Sequence, residues 1–250
     1  MESLEAQYSP QSKYTFSRKD WRRPGGGGGR MAILEGSLFE KAGVNVSTVY
    51  GHLTEDGSQK PFWASGLSLV MHPRSPHIPA IHMNTRMMET DKTWFGGGID
   101  LNPTFPETDE TGFFHAALQK TCNSFDKTYY PTFKKEADDY FFIPHRQAHR
   151  GVGGVFYDNL QLPFETGFQF TKAIGNLFAP LYTDIVQRKW KKDWTELDRK
   201  AQLVKRGHYA EFNLLYDRGT AFGLKTQGAT DAIFMAIPPL AAWPSPLSET

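Results

Sequence analysis

His82, Asn84 and Arg86 occupy alternate positions in the segment Ala80-Ile-His-Met-Asn-Thr-Arg-Met-Met88. Side chains alternate in a strand, so these three share one face with Ala80. Ile81, Met83 and Met87 take the other face, broken only by Thr85. One face is then core, and the other offers imidazole, amide and guanidinium. At about 3.3 Å per residue, His82 and Arg86 stand about 13 Å apart, a span that suits a large flat ligand better than a small metabolite. A solvated sheet face explains the pattern equally well. A second segment, Trp94-Phe-Gly-Gly-Gly-Ile-Asp100, sets a carboxylate just after three residues without side chains. Such glycines let a ligand or another backbone come close. Asp100 can accept N–H hydrogen bonds from a ligand or take a proton. A β-bulge followed by a turn-capping Asp is the plainer account.

Other motifs carry less. Gly25 to Gly29 is not a Walker loop, because Arg30-Met31 stands where Gly-Lys-Ser/Thr is required. No strand leads into the run, so its match to the dinucleotide pattern is weak. Flanked by Arg23 and Arg30, it can present N–H groups and guanidinium to carboxylates. A flexible linker fits the composition better. His72, His77 and His82 are spaced by five, and His145 and His149 follow Pro144. A metal site drawn from His72, His82, His115 and His145 is conceivable, although no local ligand spacing shows one. A mixture of core, surface and binding histidines is the simpler account. No Gly-x-Ser-x-Gly elbow occurs, which removes support for a serine hydrolase. The basic run Arg188–Lys192 reads as a solvated helix end.

The elements that must position these groups follow from punctuation and periodicity. Strands are expected at Arg30–Leu34, Val44–Tyr50, Gly66–Met71, Ala80–Met88 and Thr93–Phe95, and again at Val152–Tyr157, Tyr209–Leu215 and Ala232–Ile237. Helices are expected at Thr111–Asn123, around Thr132–Phe141, and over Phe170–Trp190 with a kink or break at Pro180. Another helix is capped by Thr195 with Asp198 in its third position, and Gly207 is its expected end. Strands that follow one another without helices between them argue for antiparallel pairing. The fold class is therefore α+β: one domain, a large antiparallel sheet with helices on both faces. Residues 1–20 read as an N-terminal lead-in, flexible or a truncated helix, ahead of a domain spanning 21–250.

The composition permits this and excludes much else. The chain has 250 residues, 39% hydrophobic and 22% charged, too apolar for disorder. A net charge of +1 offers nothing for wholesale attraction to nucleic acid or an anionic membrane, so any anion site must be built locally. The one cysteine, Cys122, cannot form an internal disulfide, which suits a reducing compartment such as the cytoplasm. No secretory signal is visible, and the apolar run Ala232–Ile237 is far too short to span a bilayer.

Several segments in order resemble one family. They include Gly25–Arg30, Phe39–Asn45, Ala64–Val70, Pro79–Arg86, Trp94–Leu101, Tyr140–Arg146, Arg150–Asp158 and Glu211–Thr220. This is the pattern of the oxygen-dependent coproporphyrinogen oxidases, and it covers nearly all of the chain from Asp20 onward. The resemblance implies a broad antiparallel sheet flanked by helices and a homodimer formed through Tyr209–Pro244. It implies oxidative decarboxylation of two propionates of coproporphyrinogen III to vinyls, with O2 as oxidant, CO2 and hydrogen peroxide released, and no organic cofactor. It implies His82 as proton donor, Asp100 as the acid that engages pyrrole nitrogens, and Ser68, Asn84, Thr85 and Arg86 as substrate contacts. Arg30, Arg146 and Arg150 are further candidate carboxylate partners. By the same resemblance a divalent metal would sit at His72, His82, His115 and His145. The late substrate loop departs from the family pattern: Gln227-Gly228-Ala229 stands where Gly-Gly-Arg or Gly-Gly-Asn is usual. That departure keeps open a tetrapyrrole-binding protein of impaired activity, and the histidines keep open a metal-dependent hydrolase. A longer N-terminal helix is also usual, of which Met1–Gln7 would be the remnant.

Overall fold

The computed structural model describes residues 1–11, 13–55 and 58–244. Seven strands form one antiparallel sheet: β1 (Ser17–Arg22), β2 (Gly27–Leu34), β3 (Phe39–Glu55), β4 (Ser58–Pro73), β5 (Ala80–Glu89), β6 (Thr93–Asn102) and β9 (Gly154–Leu160). The first six pair in chain order, as strands joined by short turns must. A small ribbon, β7 (Phe142–Ile143) with β8 (Ala148–His149), lies ahead of β9. The helices are α1 (Glu2–Tyr8), α2 (Thr108–Asn123), α3 (Tyr129–Tyr140), α4 (Phe164–Lys189), α5 (Glu196–Leu215), α6 (Arg218–Lys225) and α7 (Thr230–Ile233).

The period-2 pattern of β5 is realised as expected. Ile81 and Met83 are fully buried in a core shared with Ile99 and Leu101 of β6 and with Phe114, Leu118, Phe170, Ile174 and Phe178 of α2 and α4. The opposite face of the sheet is covered by α5 at one end and by α6 and α7 at the other. Helices thus lie on both faces.

Five expectations change. Tyr209–Leu215 is the last two turns of α5, not a strand, with Tyr209, Ala210, Phe212 and Asn213 turned inward. Gly207 does not end this helix. It lets Ala242 and Trp243 cross it closely, and a Cβ there would stand 2.7 Å from the Ala242 carbonyl oxygen. Ala232–Ile237 is helical, formed by α7 and a 3-10 turn at Phe234–Ala236, and its apolar side chains pack against the sheet, with Met235 over Gly43. Helix α4 runs unbroken through Pro180, whose ring lies on the exposed face where water can serve the freed carbonyl. Within the lead-in, Glu2–Tyr8 is the short helix α1, and the stretch from Ser17 is strand rather than a flexible leader. Strand β1 pairs along β2, and the buried Glu5 carboxylate accepts hydrogen bonds from the backbone N–H groups of Ser37, Leu38 and Phe39.

Gly25 and Gly26 make a turn, and Gly27 to Gly29 continue as strand β2, so the glycine run is neither a linker nor a phosphate loop. Gly26 and Gly27 have φ of 114° and 84°, which only glycine adopts freely. Lys189 departs from the solvated helix end expected at Arg188–Lys192. It is buried between Glu107 and Glu110 at 3.1 and 2.9 Å.

Candidate active site

Register decides which side chains meet. Asn45, Ser68, Asn84, Gly98 and Phe156 form one row across five strands. Trp21, Gly29, Ser47, Gly66, Arg86 and Gly96 form the next usable row, and Val70, His82, Asp100 and Gly154 another. All three rows face the same side, because strand faces repeat every second residue. From these rows Trp21, Asn45, Ser47, Gly66, Ser68, His82, Asn84, Arg86 and Phe156 floor a cleft of about 530 Å³ roofed by α6, α7 and the loop at Gly228-Ala229. That volume suits a bound organic molecule of considerable size.

At one end of the floor, His82 and Asp100 are cross-strand partners, with Nδ1 2.9 Å from Oδ1. A carboxylate only accepts, so Nδ1–H donates and Nε2 is left for the cleft. Asp100 itself is buried and does not line the cleft. Its other oxygen, Oδ2, accepts from Arg150 Nη2 at 2.7 Å and from Asn102 Nδ2 at 2.8 Å. Burial alone would raise the Asp100 carboxyl, but Arg150 and His82 outweigh it and hold it down at about 2. Asp100 therefore stays an anion behind His82 and supports any positive charge that the imidazole acquires. Arg150 is fixed in turn by Asn213 at 2.7 Å and by the rings of Phe141, Tyr209 and Phe212.

Further along, Arg86 Nη2 pairs with Asp158 Oδ1 at 2.6 Å, and Nη1 donates to Asn84 Oδ1 at 3.2 Å. Gly96 makes room for this guanidinium: a Cβ there would come within 2.7 Å of Arg86 Nε. Arg218 approaches the same carboxylate, at 3.5 Å from Asp158 Oδ2, and lies over the Tyr140 ring. Two guanidinium groups share one carboxylate, with Asp217 also in the lining, and they keep N–H donors free for another partner. Such a site attracts carboxylates and can hold them by paired hydrogen bonds.

The structure brings together His82, Asn84, Arg86 and Ser68 at the cleft, with Gly228 and Ala229 in its roof. It does not bring in Arg30, which lies on the opposite sheet face and pairs with Asp20 at 2.5 Å. Thr85 contributes to the cleft lining, although its methyl turns toward Gly175 of α4. Gln227 takes a left-handed backbone (φ 57°) at the tip of the loop, outside the lining residues. Arg146 is engaged with Glu211, also outside the cleft.

The four histidines offered for a metal do not assemble. His82 is bonded to Asp100, and His72 faces the Ala236 carbonyl. His115 lies between Val152 and Tyr130, while His145 is held by Tyr216 and Glu211. Among the described residues no group of three or more His, Cys, Asp or Glu side chains is placed to hold a metal ion. These residues do not fit a metal centre built from that set.

Arg218, Asp158, Tyr140 and Trp21 are cleft residues that the motif reading left unassigned. A signal for one of them was present. The strand expected at Val152–Tyr157 stops one residue short of Asp158, but it runs on to Leu160, and alternation then sets Asp158 on the face of Phe156.

Comparison with known proteins bears on the same segments. The family model described as Coproporphyrinogen III oxidase matches residues 1–248. The chain belongs to that family. It is 50% identical over 240 residues to the oxygen-dependent coproporphyrinogen-III oxidase of Rickettsia bellii (strain OSU 85-389), covering 91% of this chain and 85% of that one. It is 51% identical over 233 residues to the oxidase of the same name from Rickettsia akari (strain Hartford), covering 90% and 84%. The Rickettsia africae (strain ESF-5) protein, also so named, is 49% identical over 233 residues. As a coproporphyrinogen oxidase family member, the chain sets Ser68, His82, Asn84 and Arg86 of its shared segments in one cleft lining.

Proposed function

We propose that this chain catalyses the aerobic oxidative decarboxylation of coproporphyrinogen III to protoporphyrinogen IX in haem biosynthesis. Family membership supports the reaction, and one arrangement supports the site: His82, backed by Asp100 and Arg150, faces a cleft whose far wall carries Arg86 and Arg218. Each propionate loses CO2 and one hydrogen from its β-carbon. The electron pair of the broken C–COOH bond becomes the vinyl double bond, while the pair of the broken C–H bond passes to O2, which with that hydrogen's proton and the carboxyl proton becomes hydrogen peroxide. The electron-rich pyrrole supplies delocalisation, so the protein has to orient the ring and move protons.

His82 Nε2 is the group placed to exchange a proton with the substrate, and Asp100 acts through it by fixing the Nδ1–H tautomer and stabilising the imidazolium. Arg86 and Arg218 hold substrate carboxylates, with Ser68 and Asn84 hydrogen-bonding along the floor. O2 is the co-substrate, and no organic cofactor enters the reaction as written.

The enzyme acts as a homodimer joined through Tyr209–Pro244. The support is a set of apolar side chains left in water there: Leu215 is 63% exposed, Trp243 56% and Leu240 54%. Sedimentation of the purified chain checks it, and a monomer at micromolar concentration would contradict it. We place the enzyme in the cytoplasm on the strength of its lone, buried Cys122. No helix among the described residues is long and apolar enough to cross a membrane.

The catalytic proposal is tested by incubating purified protein with reduced coproporphyrinogen in air, without added cofactor. Protoporphyrin recovered after oxidation is the expected product. Tight porphyrin binding without O2 uptake would overturn the proposal.

A further inference from the structure

Beside Asp100, and sharing Arg150 and Tyr209 with the lining of the cleft, lies a second and much smaller cavity of about 20 Å³. His72, Asn102, Arg150 and Tyr209 all line it. Each of these residues carries one buried polar atom with no hydrogen-bond partner among the described residues: His72 Nδ1, Asn102 Oδ1, Arg150 Nε and Tyr209 Oη. Asn213 lies near the Tyr209 hydroxyl, but no hydrogen bond joins the two. Buried polar groups are satisfied in folded proteins, and four such atoms around one small space call for a shared partner.

Their chemistry says what that partner is. His72 Nε2 lies 2.9 Å from the Ala236 carbonyl oxygen, so it must be the protonated nitrogen, and Nδ1 is a bare acceptor. Burial, with Arg206 nearby, keeps this imidazole neutral by holding it down at about 3. Asn102 gives its amide N–H to Asp100, which leaves the Oδ1 acceptor. Arg150 Nε can only donate, and the Tyr209 hydroxyl can donate as well. The cavity thus offers two acceptors and two donors.

We infer that this cavity binds one structural water, which donates to His72 Nδ1 and Asn102 Oδ1 and accepts from Arg150 Nε and Tyr209 Oη. The volume matches one water and little more. An anion would meet two lone pairs, a metal cation would meet a guanidinium, and O2 would leave both acceptors unpaired. Two of the water's partners, Arg150 and Asn102, are the residues that hold Asp100 Oδ2. The water is therefore a positioning element for the His82–Asp100 pair, acting through Arg150 and Asn102.

A crystal structure of the full chain at about 1.5 Å tests the assignment without reference to any reaction. The expected result is a single solvent peak within about 2.6–3.2 Å of all four atoms. A dry cavity, or a peak with the anomalous signal of chloride or a transition metal, overturns it. The kinetic arm rests on the oxidase reading and uses Tyr209→Phe, which removes one of the water's donors and touches neither Asp100 nor His82. Turnover is expected to fall about tenfold with KM within twofold, the equivalent of one imperfectly satisfied buried group. A native chain without oxidase activity would count against that reading and leave the solvent peak standing. Unchanged turnover in the variant, with the native chain's peak bonded to all four atoms, would overturn the positioning role.

Discussion

His82 and Asp100 sit directly opposite one another on β5 and β6, joined by a 2.9 Å hydrogen bond, with only the histidine reaching the cleft. The acid is thus one layer removed from any substrate, and its influence passes through the imidazole. Both of its oxygens are occupied, by His82 on one side and by Arg150 and Asn102 on the other.

Arg86 keeps its place because Gly96 has no side chain. Gly96→Ala puts a methyl group 2.7 Å from Arg86 Nε and must displace the guanidinium. Steady-state kinetics should show KM raised about tenfold with a smaller change in kcat. Arg86→Ala should do at least as much. Unaltered KM in both variants would remove Arg86 from substrate binding.

Arg218 shares Asp158 with Arg86 and adds a second guanidinium to that wall. Arg218→Gln should raise KM by roughly tenfold, in keeping with loss of one charge-assisted contact of about 1.5 kcal/mol. Because Arg218 is largely exposed, its melting temperature should stay close to that of the native chain. A melting temperature that falls with KM unchanged would assign Arg218 a purely structural part.

Glu5 ties α1 to the turn before β3 through three backbone N–H groups at 3.1, 3.1 and 2.7 Å. Glu5→Ala leaves those donors buried and unpaired. Chemical denaturation should show stability lowered by roughly 2–4 kcal/mol. A loss below about 0.5 kcal/mol would mean that water replaces the carboxylate there.

Acid should weaken the fold in two stages. His72 ordinarily titrates at 6.5 and is held at about 3 in the folded chain. The unfolded chain takes up that proton first, so this contribution to stability is complete above about 6.5 and is lost as pH falls toward 3. The slope approaches about 1.4 kcal/mol per pH unit. Asp100, held at about 2 against an ordinary 3.8, adds a loss of the same sign below that value. Denaturation curves between pH 7 and 4 should be shallower for His72→Gln than for the native chain. Parallel curves would mean that His72 is not buried and neutral.

Much of this was legible from residue order. Alternation in Ala80–Met88 placed His82, Asn84 and Arg86 on one face, and the same rule places Asp158 with Phe156. What strand periodicity cannot give is register. Nothing local in Trp94–Asp100 says that Asp100 falls opposite His82, or that Gly96 falls beside Arg86. Those pairings are set by the β5–β6 turn and the whole sheet. Nor does sequence show which of two apparently equivalent cations reaches the cleft. Arg30 lies on the wrong face by the parity of its position in β2, and Arg150 arrives from the loop after β8. The strand expected at Tyr209–Leu215 failed for a related reason. Its apolar residues satisfy a helical spacing as well, and Gly207 looked like a terminus when it is a crossing point.

The claim that Asp100 works through His82 is most directly tested by a double-mutant cycle on aerobic turnover of coproporphyrinogen, using His82→Gln, Asp100→Asn and the pair. If the two act as one unit, each single variant should lose about a hundredfold or more in kcat with KM within a few-fold, and the double variant should lose little beyond the worse single one. Losses that multiply, or an Asp100→Asn enzyme that turns over at nearly the native rate, would contradict the account.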